Sequence, residues 1–323
     1  MAGNVNRGQV VAEAWEDYVK TDPQEQVFNY FWLLNNMQQG EAFQKGAGDP
    51  ITGTIEYAEN GTVKSMGEME TLDINRSDVF DRYEYAWKFK GGVIIMSEYE
   101  KQITSGNSGK FDLEAAKMTN LKNTMQRQIN DDLFSDGTGT GGKQAGGLQY
   151  IVSSTPTTGT VGAISRSAYS FWRNQQTSGA KSSTAFDNLK PTMRSIYNLC
   201  SSGVGQQNPQ FAATDRTTFE GYESLLVTNE RLIRESESDM GISGYKGDKI
   251  AFKDIMLAYD NANPAGLMYI LNRRNLFIRY AVWMKAYPPG TPVNQMTDVV
   301  KVWTMYNLCS DNPRRLGVIT AIT

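Results

Sequence analysis

DDLFSDGTGTGGKQAGGLQY runs from Asp131 to Tyr150 and holds six glycines. Gly137, Gly142 and Lys143 match G-x-x-x-x-G-K, most of a phosphate-binding loop. Such a loop needs a strand before the glycines, a helix directly after them and a hydroxyl following the lysine. Here the preceding residues read as helix, Gln144 stands where Ser or Thr is needed, and Gly146-Gly147 interrupts any immediate helix. The glycines therefore read as mechanical. They let the backbone leave a long helix and turn sharply through positive φ.

The helix in question is FDLEAAKMTNLKNTMQRQINDDLF, Phe111–Phe134. Asp112 is placed to cap it, and Leu113, Leu121, Met125, Ile129 and Leu133 form a narrow apolar stripe spaced by four or eight. Its ordered part of about 22 residues makes a rod of roughly 33 Å. Upstream, Tyr83, Tyr85, Trp87 and Phe89 alternate with other residues, the pattern of a half-buried sheet within Arg82–Gln102. Further upstream, ITGTIEYAEN and GTVKSMGEMETLDI flank Asn60-Gly61 within Gly46–Asn75. Asn-Gly between extended runs predicts a hairpin with a type I′ turn. Ile55, Tyr57 and Val63 alternate along its arms, which are otherwise poor in large apolar residues. A two-stranded ribbon alone is marginal in water, so this one needs a covering surface, within the chain or on a neighbour. The leader reads as two short helices, Gln9–Tyr18 and one starting at Asp22-Pro23 that carries Val27, Phe28, Phe31, Trp32 and Leu34.

Downstream of the glycines, FDNLKPTMRSIYNLCSSGVG reads as a helix from Phe186 to Gly203. Polar turns are expected over 208–239. Strands joined by a turn at 261–266 follow, and the tail reads as two strands around a turn at 310–313.

Composition narrows the chemistry. The 323 residues suit one large domain with appendages, or two domains. A net charge of −3 argues against a broad basic face for nucleic acid or anionic lipid. There is no histidine, which removes the commonest neutral-pH base and metal ligand. Cys200 and Cys309 lie beside leucines, spell no C-x-x-C and read as buried thiols in a reducing cytoplasm. No signal peptide is evident and no apolar run has membrane-spanning length. Asp131-Asp132 and Glu235/Glu237/Asp239 read as solvated carboxylates, and Arg273-Arg274 and Arg314-Arg315 as surface charge or intersubunit pairs. The expected protein is not an enzyme and has no catalytic, cofactor or metal residues.

In order, the chain offers a helical arm, a long hairpin, an aromatic strand pair, a long helix, a GTGTGG…GGL loop, a mixed second region and a C-terminal strand pair. This series resembles the major capsid proteins of tailed bacteriophages. TGTVGAISRSAYSFWRN, Thr158–Asn174, is similar to a segment common in phage shell proteins. The resemblance implies an α+β, Hong Kong 97-like capsid fold. Residues 1–45 would be the N-terminal arm and 46–75 the extended loop. Residues 76–148 and 290–323 would form a peripheral domain with its spine helix at 111–134, and 149–289 an axial domain. Contacts to sister subunits would run through Ile55, Tyr57, Asn60, Gly61, Val63, Lys64 and Glu68 of the loop and through Trp15, Tyr18, Phe28, Phe31 and Trp32 of the arm. Gly137, Gly139, Gly141, Gly142, Gly146 and Gly147 would serve as hinges. The implied function is self-assembly, as hexamers and pentamers, into an icosahedral virion shell built in the bacterial cytoplasm. The shell would enclose double-stranded DNA without reading its sequence. Implied partners are a separate scaffolding protein, a portal and a decoration protein, with no membrane. Another self-assembling virion part, such as a tail tube, fits less well, because those chains are usually shorter or β-dominated without such a spine. An enzyme with an unfamiliar site remains the third alternative.

Overall fold

The computed structural model describes residues 31–38, 40–71, 74–75, 77–104, 113–179, 186, 188–201, 208–229, 245–246, 249–292 and 294–322. The first leader helix, the start of the second, the Asp112 cap and Trp15, Tyr18 and Phe28 lie outside them. The described helices are α1 Trp32–Gln38, α2 Glu98–Thr104, α3 Leu113–Leu133, α4 Leu148–Ile151, α5 Leu189–Cys200 and α6 Arg216–Asn229. The strands up to the glycine loop are β1 Phe43–Lys45, β2 Ile51–Glu56, β3 Phe80–Tyr85 and β4 Lys88–Ser97. After it come β5 Thr160–Val161, β6 Ile164–Ser165, β7 Gln175–Ser178, β8 Phe211–Thr214, β9 Tyr245–Lys246, β10 Lys249–Phe252 and β11 Ile255–Tyr259. β12 Met268–Leu271, β13 Leu276–Ala286, β14 Thr297–Ser310 and β15 Gly317–Thr320 complete the set. The class is α+β, as the sequence predicts.

The chain divides into two units. The first draws on Lys90–Gln128 and Met284–Thr304. Strand geometry puts every second side chain on one face, so Ile94 and Met96 of β4 and Val300 and Val302 of β14 point the same way. They meet Met118, Leu121 and Met125 of α3, an i, i+3, i+7 stripe. Leu121 lies so close over Gly92 that a Cβ there would sit 2.6 Å from its Cδ1.

The second unit takes in Phe31–Phe89, Ile129–Trp283 and Met305–Thr323. Its main sheet has seven strands in the order β7-β15-β12-β8-β11-β10-β9. All four residues of β8 and of β12 are buried. Leu189, Met193, Ile196 and Cys200 of α5 and Phe219, Tyr222 and Leu226 of α6 pack in the same core. Each such side chain contributes about 1.5–3 kcal/mol by leaving water. A four-stranded sheet of order β1-β13-β14-β4 and the two-stranded pairs β2-β3 and β5-β6 complete the strand set.

Several expectations need correction. Asn60-Gly61 does not join the paired arms: β2 pairs with β3, from Ile51↔Tyr85 to Glu56↔Phe80. The segment after Gly61 lacks steady alternation, whereas β3 offers Tyr83 and Tyr85 for burial. The polar stretch 208–239 contains β8 and α6, whose apolar residues are too sparse to stand out. The turn at 261–266 does join two strands, β11 and β12, and β8 lies between them in the sheet. The tail does form two strands, but β14 and β15 belong to different sheets. α5 begins at Leu189 rather than Phe186.

Candidate interaction surface

Strands β2 and β3 pair as a two-stranded ribbon, and among the described residues no third strand joins them. Its two strands are locked at one rung. Gly53 faces Tyr83, and a Cβ at Gly53 would lie 2.2 Å from the Tyr83 hydroxyl, so the ring occupies the space that a side chain would need. The base is anchored in the second unit. Ile51, Tyr83 and Tyr85 are buried, and the Tyr85 hydroxyl donates to the Ser310 carbonyl at 3.1 Å. Burial pushes that phenol well above its ordinary range. Tyr83 stacks on Trp172, with ring centroids 6.1 Å apart. The Glu84 amide donates to the Gly162 carbonyl at 2.9 Å.

Beyond the last paired rung the chain loses regular structure. Asn60 makes a local turn: its side-chain oxygen accepts from the Thr62 amide at 3.1 Å and the Thr62 hydroxyl at 2.8 Å. Gly61 does not take the positive φ of a type I′ turn. The tip carries exposed apolar residues among charged ones. Met69 is 97% exposed, Ile74 96% and Val63 83%. Met66 and Phe80 are also exposed. Each such residue forgoes the roughly 1.5–3 kcal/mol that burial would supply. Exposed apolar residues gathered in one connecting segment, 63–80, make it a candidate interaction surface.

Ile55 and Tyr57 are half-buried, while Asn60, Gly61, Val63, Lys64 and Glu68 are exposed along the loop. The expectation that Phe31 and Trp32 reach a sister chain is corrected. Both are buried here, Trp32 lies edge-on to Phe211 at 5.9 Å, and the Leu33 amide donates to Asp260 at 3.2 Å. Their apolar surface is already covered. Met66, Met69 and Ile74 escaped the sequence reading because they follow no period. Their only signal was apolar character in a stretch with nothing to pair with.

The glycine loop is a packed turn. Gly137, Gly141 and Gly142 have φ of 77°, 66° and 79°. Gly147 passes directly over the end of α3: a Cβ there would lie 2.3 Å from the Asp132 carbonyl oxygen. The Ser135 hydroxyl donates to Asp132 and Ala145 carbonyls, both at 2.9 Å, and the Gly147 amide donates to Ser135 at 3.1 Å. Gly139 and Gly146 abut Gln144 and Tyr150. The amides of Gly137, Thr138, Gly142, Gln144 and Gly147 are engaged within the loop, and the preceding element is a helix. Elsewhere, burial pushes the Cys200 thiol up to about 12 and raises Cys309 as well, which keeps both unreactive. Among the described residues no cluster of acidic or sulfur ligands could hold a metal, and no helix is long and apolar enough to cross a membrane.

No family model and no curated protein matches the sequence. Solved structures do match. The capsid asymmetric unit of cyanophage A-1(L) aligns at a TM-score of 0.62 with 15% identity, covering 87% of this chain and 89% of that one. The capsid of Myoviridae phage XM1 aligns at 0.57 with 14% identity over 92% and 96%. The holo-SrpI encapsulin complex from Synechococcus elongatus aligns at 0.62 with 11% identity over 97% and 95%. The agreement covers 87% or more of this chain and 89% or more of each of those chains, and on that ground the protein has the Hong Kong 97-type fold of phage capsid proteins.

Proposed function

We propose that this chain is a structural subunit that assembles with copies of itself into the icosahedral shell enclosing the double-stranded DNA of a tailed phage. The observation that carries the reading is the two-stranded ribbon, whose connecting segment leaves Val63, Met69 and Ile74 exposed on its own chain. A sister subunit supplies the missing cover. Each contact is modest, but a subunit held by many neighbours leaves only when all of them open, so avidity replaces single-contact strength. Hexamers and pentamers fit as the assembly units. A separate scaffolding protein, a portal and a decoration protein fit as partners, and the bacterial cytoplasm fits as the place of assembly. The net charge of −3 suits a wall that holds DNA without gripping it. No step in this role needs a catalytic group.

The likeness to an encapsulin complex supports a second reading, a closed compartment without a genome. Negative-stain imaging and nuclease treatment of the expressed protein, alone and with its neighbouring genes' products, separate the two. Icosahedral particles or capsomer rings are expected, with nuclease-protected DNA once the neighbours are present. Tubes, or a monomer whose melting shifts with nucleotide, would overturn the shell reading. Replacing residues 58–78 with a short Gly-Ser linker is expected to leave folded subunits that no longer form particles.

A further inference from the structure

A two-stranded ribbon with a bare tip needs something to aim it. Its base is fixed by Tyr83 and Tyr85, but the apolar tip begins only after the last rung at Glu56↔Phe80. One residue past that rung, Tyr57 donates its amide to Val79 at 3.0 Å and lays its ring on Phe171. The two rings are 5.2 Å apart and 20° from parallel. Tyr169 flanks Phe171 from another side at 5.6 Å. Tyr57–Phe171 is therefore a ring contact at the point where strand pairing ends and the tip begins.

The platform under this contact is rigid. Trp172, next in the chain, is fully buried, and its indole N–H donates to the Val161 carbonyl at 2.8 Å. The Arg173 guanidinium donates to the carbonyls of Arg166 at 2.6 Å and Ser167 at 2.9 Å, closing the loop that presents Tyr169 and Phe171. Arg166 is itself fully buried and donates to the Ile151 carbonyl. Phe171 thus stands on a hydrogen-bonded loop while Tyr57 belongs to the segment that connects β2 to β3. A stack of this kind costs little rotamer freedom and holds an angle better than an aliphatic contact would.

We propose that Tyr57, Phe171 and Tyr169 form an aromatic brace that fixes the direction in which the extended loop leaves its subunit, and that this direction is required for productive assembly. The second clause rests on the shell reading above; the first does not. Residues 167–173 would then be positioning residues, acting on a neighbour only through the loop they aim.

The test uses the full-length chain as dissociated subunits, spin-labelled at Lys64→Cys and Ser154→Cys; Cys200 and Cys309 are buried and stay unlabelled. Pulsed electron-spin distance measurement reads the loop's angular spread. Phe171→Ala is expected to widen the distribution about twofold, because a lever freed at its fulcrum samples more directions. Tyr57→Ala should do the same from the loop side, which guards against a folding defect in the first variant, and Phe171→Tyr should retain the narrow distribution. In unlabelled protein the two alanine variants should give few or malformed particles. An unchanged width in both alanine variants, whatever their melting temperature, overturns the brace. A widened distribution with normal particles overturns its role in assembly. Failure of the unaltered chain to form particles would overturn the shell reading while leaving the brace to be decided by the distances.

Discussion

Gly147 and Asp260 show how single atoms hold this chain. At Gly147 the backbone passes the last carbonyls of α3, with no room for a Cβ between it and the oxygens of Asp132 and Leu133. Neither side can yield, since both are main chain. Gly147→Ala should cost about 3 kcal/mol or more, or prevent folding, whereas Gly141→Ala, in open space at φ 66°, should cost only about 1–2 kcal/mol. Urea unfolding of both variants checks this; equal costs would mean the loop is a hinge rather than a clamp. Asp260 is buried and accepts from the amides of Leu33 and Ala262 and from the Asn130 side chain, at 3.2, 3.0 and 2.9 Å. Asn offers one oxygen to these three donors, so Asp260→Asn should cost about 1–3 kcal/mol. Burial raises its carboxyl above the ordinary 3.8, although its three hydrogen bonds pull the other way. The folded state therefore binds this proton more tightly than the unfolded state. That contribution is complete below pH 3.8 and is lost as pH rises through the raised value. The stability advantage of the parent over Asp260→Asn should narrow as pH rises above 3.8; a widening gap would contradict the assigned direction.

α6 is the helix that pattern reading passes over. Its buried Phe219, Tyr222 and Leu226 sit at i, i+3 and i+7 amid Thr, Glu, Gly and Ser, so the stripe is one residue wide. The start signal is clearer in three dimensions. Asp215 accepts from the Thr218 amide at 3.3 Å and hydroxyl at 2.6 Å, an N-terminal cap. Asp215→Ala should cost about 1 kcal/mol, and Asp215→Ser should recover most of it, as read by thermal unfolding. No loss in the alanine variant would mean that tertiary packing alone holds the helix. α3 and α5 were legible because each repeats apolar residues for three turns or more. β8, Phe-Ala-Ala-Thr, was not, because a central strand buried on both faces shows no alternation. The hairpin failed in an instructive way. Asn60 does turn the chain, but the pairing skips to residue 80 because buried rings, rather than the turn, choose the partner strand.

In the segment that connects β2 to β3 the molecule exposes apolar residues that its own chain leaves uncovered. Met69 and Ile74 touch so little of their own chain that Met69→Asp and Ile74→Asp should leave the unfolding free energy of the subunit within about 0.5 kcal/mol of the parent. The same substitutions should cut particle yield by an order of magnitude or more, because a charge carried into an apolar contact must be desolvated. Light scattering during assembly measures the yield. Normal particles from both variants would show that the tip contacts nothing that matters.

Local chemistry was enough to reveal the α+β class, the long helix, its glycine turn and the want of any histidine-based chemistry, since each depends on a few neighbouring residues or on composition. Strand partners, the sheet to which each strand belongs, and the burial of Phe31 and Trp32 depend on contacts between residues far apart in the chain. Those contacts are won by whichever distant surface excludes the most water, and no short window of sequence carries that comparison.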